Sequence, residues 1–99
     1  MKIDYLDKRF PEVIRYKIFQ IEENMIEKIH GIKSYNFIYD TIEKEYYLTI
    51  TLDNDYKLKI GLTNILSSRT VLEIVYIIND FIMIHSKYSN EIETYRKGE

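Results

Sequence analysis

The chain has no cysteine, no tryptophan, one proline and only three glycines among its 99 residues. Without cysteine there are no disulfides, no thiolate nucleophile and no cysteine-based zinc site, which fits a reducing compartment. So few glycines argue against phosphate-cradling loops, and no P-loop, GxGxxG or GxSxG pattern occurs. Near the N-terminus, Asp4 and Asp7 interrupt the apolar residues, so the stretch lacks the core of a secretion signal. The longest apolar run, residues 71–84, is too short to span a bilayer and contains Asn79 and Asp80. These absences lead us to expect a soluble cytoplasmic protein with no membrane association. A charge excess is missing too. Fourteen basic and sixteen acidic residues give −2, and the two signs stay balanced along the chain. Nucleic-acid binders usually carry a basic stripe, because phosphate neutralisation supplies most of their non-specific affinity.

What is present is apolar patterning. Residues 71–84 have only Glu73, Asn79 and Asp80 as frankly polar members and nothing to break a helix. At about 100° per residue, Val71, Ile74, Val75, Ile78, Phe81 and Ile82 share one arc. Leu72, Tyr76 and Met83 form a second apolar strip and Ile77 and Ile84 a third, with Glu73 and Asp80 between those two. A helix apolar nearly all round must be covered on more than one side.

The length implies one domain, residues 1–99. Residues 1–9 read as a lead-in arm; Met1, Ile3 and Tyr5 alternate, so a brief strand competes with irregular chain. Pro11 and Glu12 suit a helix start. Phe10, Ile14, Ile18, Ile21, Met25 and Ile29 then line one face, and Gly31 follows as a stop, giving a first helix over about residues 11–30. Phe19 and Ile26 fall beside that face and Tyr16 nearly opposite it.

From Lys33 the period becomes 2. Tyr35, Phe37 and Tyr39 share a face, as do Tyr46, Leu48, Ile50 and Leu52, and Tyr56, Leu58, Ile60 and Leu62. Three half-buried strands follow. Parity fixes their register. A three-residue turn at residues 53–55 sets Leu52 against Tyr56, Ile50 against Leu58 and Leu48 against Ile60, whereas a two-residue turn would mix the faces. Tyr39 opposite Tyr46 needs an even loop, which residues 41–44 satisfy. Residues 63–68 read as a short connection. Thr70-x-x-Glu73 matches a capping box and opens the second helix, which runs to at least residue 86. The helical signal weakens over residues 85–90, and Glu91 to Arg96 suit a short third helix, with residues 88–99 a partly ordered tail. The expected fold is α+β: α-β-β-β-α, a three-stranded antiparallel meander covered on one face by two helices.

Candidate chemistry is sparse. His30 and His85 are the only histidines, and neither stands in a metal-ligand spacing with Asp80 or Glu27. Glu73, Asp80 and Tyr76 lie near one another on helix two and would do acid–base work only inside a pocket. Tyr47, Thr49, Thr51, Lys57 and Lys59 make a polar strand face with an aromatic and two cations, a combination able to stack bases. The element order resembles the double-stranded-RNA-binding domain. That family carries a Gly-rich second loop and a Lys-Lys-x-Ala-Lys helix start; here the region reads Asn64-Ile-Leu-Ser-Ser-Arg-Thr70, so the resemblance covers element order only. On helix one, Arg15 and Lys17 sit toward the N-terminal half and Glu22, Glu23 and Glu27 toward the C-terminal half, against the macrodipole preference, as partner contacts would require.

Together these features predict a non-enzymatic binding protein without cofactor or metal. It would occlude a macromolecular partner, a protein, and form a homodimer through Leu72, Tyr76, Ile77, Met83 and Ile84. In size and lack of motifs it resembles small inhibitors encoded by phages and mobile elements, such as anti-CRISPR proteins, and bacterial immunity proteins. The alternative is a nucleic-acid-binding regulator using the polar strand face.

Overall fold

The architecture was read from a computed structural model, which describes the backbone of residues 1–28 and 31–97 and the side chains of residues 1–25 and 31–85. Its elements are β1 (Lys2–Asp4), α1 (Glu12–Lys28), β2 (Ile32–Asp40), β3 (Glu45–Leu52), β4 (Lys57–Gly61), α2 (Thr63–Ser68) and α3 (Val71–Lys97). The strands form one antiparallel sheet in the order β1-β2-β3-β4. The fold is α+β, with α1 and α3 on one face of the sheet. Between them and the strands lies one apolar core that takes Ile18, Ile21 and Met25 from α1, Phe37, Leu48, Ile50, Leu58 and Ile60 from the strands, and Ile74, Val75, Ile78 and Ile82 from α3.

The sheet has four strands rather than three, because the N-terminal residues are not a loose arm. Ile3 lies opposite Tyr39, and Tyr5 continues the ladder with its amide donating to the Phe37 carbonyl at 3.0 Å. Ile3 and Tyr5 are buried while Met1 is exposed. The alternation in this stretch is therefore a true strand pattern. Left bare, β2 would be an edge with Phe37 and Tyr39 half covered; β1 completes the face and is itself too short to be a sticky edge.

Both hairpins have the register that face parity demands. Ile50 pairs with Leu58, Leu48 with Ile60 and Tyr39 with Tyr46. At the 53–55 turn the Asp55 amide donates to the Leu52 carbonyl at 2.8 Å, and Asp55 takes φ 65. A turn followed by a left-handed residue is the usual three-residue solution. Asp40 starts the 41–44 turn by accepting the Ile42 and Glu43 amides on Oδ1. Gly31 has φ 87, where a side chain would be strained, and its carbonyl accepts the Asp53 amide at 2.9 Å.

Residues 63–68 are a helix, not a bare connection. Leu62 and Leu66, four apart and both buried, drive the turn into the core. Six residues are too few to show a period in the sequence. Thr63 clamps the helix to β3, its Oγ1 accepting the Tyr46 amide and donating to Glu45 Oε2.

α3 opens with the expected capping box: the Thr70 amide donates to Glu73 Oε1 and the Glu73 amide to Thr70 Oγ1, both at 3.2 Å. It then continues as one helix of 27 residues to Lys97. No separate C-terminal helix forms, since neither glycine nor proline interrupts the serines and asparagine near residue 88. At 1.5 Å per residue α3 is about 40 Å long. In a molecule measuring 50 × 28 × 21 Å, only the long axis accommodates it.

Candidate interaction surfaces

α3 buries one arc and leaves the rest to solvent. Ile74, Val75, Ile78 and Ile82 are buried against the sheet and α1, with Val71 and Phe81 half-buried at the margins. Leu72, Tyr76, Ile77, Met83 and Ile84 are 37–66% exposed. Among the described residues neither the N-terminal stretch nor the continuation of α3 to Lys97 hides them. Residues 1–9 are tied to β2 and α1, and the chain beyond Ile84 prolongs the helix instead of folding back.

Glu73 and Asp80 are exposed between the two apolar strips. The Thr70 amide holds the Glu73 carboxyl below the usual carboxylate range, with help from the Thr70 hydroxyl and from Arg69 at 3.5 Å. Glu73 thus serves the helix start as an anion, which is not the state of a general acid. His85 is half-buried and stacks on Phe81 with centroids 4.3 Å apart. Among the described residues no three histidines or carboxylates are grouped to hold a metal. His30, Ile29 and the side chains of Ile26 and Glu27 lie outside the described residues.

The second candidate surface is the outward face of the sheet. Across it Tyr47 pairs with Ile38 and Gly61, Thr49 with Asn36 and Lys59, and Thr51 with Ser34 and Lys57. Tyr47 is only 4% exposed, although it faces away from the helices. Lys59 Nζ stands 4.3 Å from its ring centroid and Lys2 Nζ 5.9 Å. A base stacking on this ring would first have to displace the lysines, so Tyr47 is no open aromatic platform. Lys2 was not among the residues singled out from the sequence, although the alternation of Ile3 and Tyr5 already places it on this face.

Three of the reversed charges of α1, Arg15, Lys17 and Glu22, have intramolecular uses. Arg15 Nε donates to the Tyr5 carbonyl at 2.8 Å, and its guanidinium also reaches the carbonyls of Asp7 and Phe10, fastening the loop after β1. Lys17 Nζ donates to the Leu66 and Arg69 carbonyls at 2.5 and 2.8 Å, closing the C-terminal end of α2. Glu22 Oε2 accepts the hydroxyls of Tyr5 at 2.7 Å and Tyr35 at 2.5 Å, joining α1 to β1 and β2. Such long-range links outweigh a dipole preference of about 0.3–1 kcal/mol. No sequence pattern marks them, because their partners are fixed only by the packing.

Among the described residues no helix is long and apolar enough to cross a membrane. Comparison of the chain with protein families, curated proteins and solved structures finds no match.

Proposed function

We propose that this protein is a non-enzymatic binding protein whose outward α3 surface docks on a protein partner and occludes it, in the manner of small phage- or mobile-element-encoded inhibitors. One observation carries the reading: five large apolar side chains on a single helix remain exposed after the fold has closed its core. Exposed apolar surface gathered on one element marks interaction sites more often than chance placement does. Tyr76 and Met83 suit the role, since tyrosine and methionine are enriched in interface cores and methionine adapts to its partner's shape. Before the partner is met, a second copy of the chain covers the same strip.

Paired substitution of Leu72→Glu and Met83→Glu tests this. Both positions are exposed, so the fold should survive with a melting temperature close to wild type. Light scattering should give the wild type twice the 12.0 kDa chain mass and the variant the single mass. Affinity capture from host lysate should retain a protein that the variant loses. A wild-type monomer at high micromolar concentration ends the dimer, and equal capture by both proteins ends the role of the strip.

A further inference from the structure

The outward sheet face carries a feature that is independent of α3. Tyr47 is nearly fully buried there, and its hydroxyl has no hydrogen-bond partner among the described residues. A buried phenol that donates to nothing is costly, so the group is expected to meet an acceptor when the protein works. Two ammonium groups approach the same ring, Lys59 Nζ from β4 and Lys2 Nζ from β1. Directly across from Tyr47 stands Gly61, whose conformation does not require glycine and beside which a Cβ would meet nothing within 4 Å. The glycine leaves a side-chain gap across the strand pair from Tyr47.

The charges around it are unevenly committed. Asp4, Asp40 and Glu45 share this face by strand parity, but each already accepts hydrogen bonds within the fold: Asp4 from the Leu6 amide, Asp40 from the Ile42 and Glu43 amides, and Glu45 from the Thr63 hydroxyl. Lys57 and Lys59 are in no ion pair among the described residues. The Asp40 carboxyl, held low first by the Glu43 amide, is lowered further by Lys2 opposite it, without an ion-pair contact. The sheet face thus offers a phenol donor, two ammonium groups near the same ring and a side-chain gap across from it.

We propose that Tyr47, Lys2 and Lys59, with the gap at Gly61, bind a single phosphate group. A tetrahedral oxyanion has an oxygen for each of the three donors, which a carboxylate lacks, and lysine serves phosphate as a mobile point charge. The covering side chains are long and flexible, so they can move aside and then close on the anion. Three lysines against three carboxylates leave no continuous positive track, which favours a small phosphate ester over a nucleic-acid backbone.

The test is thermal unfolding of the whole chain with and without inorganic phosphate at constant ionic strength, on wild type, Tyr47→Phe, Lys59→Ala and Gly61→Val. Phosphate raises the melting temperature of most proteins by exclusion from their surface, so the difference between wild type and variants is what counts. Wild type should gain about 10 °C more than any variant at fifty-fold excess over the dissociation constant. Tyr47→Phe keeps the ring and removes the orphan hydroxyl, so without phosphate it should melt no lower than wild type. Equal gains in all four proteins overturn the site. Phenyl phosphate and a short oligothymidine separate the sources: a response to phosphate and phenyl phosphate alone supports a small ester, and an added response to the oligonucleotide, lost in the same variants, supports the site with a nucleic-acid phosphate. Oligonucleotide binding without any response to inorganic phosphate overturns the proposal.

Discussion

Glu22 shows how one side chain acquires meaning only in the folded molecule. In the sequence it is one of several glutamates on the polar side of a helix. In the fold a single carboxylate oxygen receives two phenols, from Tyr5 and Tyr35. Burial first, and then the Glu22 carboxylate, pushes both phenols above the ordinary tyrosine value near 10, Tyr35 to about 12. The folded chain therefore keeps these protons in a range where the unfolded chain releases them. Their contribution to stability is complete below pH 10 and is lost as pH rises through about 12. Urea titrations from pH 8 to pH 11.5 should show the wild-type midpoint falling more steeply than that of a Tyr5→Phe, Tyr35→Phe double variant. At pH 8 the double variant should be less stable by about 1.5–3 kcal/mol, the usual worth of a hydrogen bond to a charged group. Parallel alkaline limbs for the two proteins would show that this cluster does not set the slope.

Among the elements, the start of α3 and the turns were legible in advance because their causes are local. A capping box needs only two residues three apart, and hairpin register needs only a period of 2 and a count of loop residues. Thr70→Ala should cost about 1 kcal/mol by denaturant unfolding, through the loss of its hydroxyl acceptor for the Glu73 amide. Ile78→Ala, deep in the arc of α3 that faces the sheet, should cost about 2–5 kcal/mol. If the two substitutions prove equally mild, α3 is not the element that holds the core. The first strand and the short helix were harder to read for a shared reason. Both are brief, and both exist because of a neighbour: β2 for the strand, and the cover that β3 and Lys17 provide for α2.

At the scale of the whole molecule, one apolar cluster runs from Ile3 in the first strand to Ile82 in the last helix. A core shared by every layer should unfold in one step. Far-ultraviolet circular dichroism, which follows the helices, and tyrosine fluorescence, which reports on ten tyrosines in a chain without tryptophan, should give coincident transitions. Ile3→Ala should shift both curves together to lower denaturant. A fluorescence change that precedes the loss of helix would mean that the N-terminal strand is an accessory to the core and not part of it. The exposed strip of α3 belongs to this scale too, because no single residue in it is unusual and only their number on one helix is.

The sequence alone determined the face of every long element. Periods of 3.6 and 2 assign residues to the inside or outside before any partner is known, so the two main helices, the three longer strands and their register could be derived from spacing and parity. The spare apolar strip on α3 was foreseeable on the same ground. Tertiary structure decided everything that depends on which distant residues meet. It made a strand of the N-terminal arm, turned Arg15, Lys17 and Glu22 on α1 into ties between elements, and buried Tyr47 under two lysines on a face that alternation had assigned to solvent. Spacing along a chain specifies orientation; contact between remote side chains is specified only when the layers close on one another.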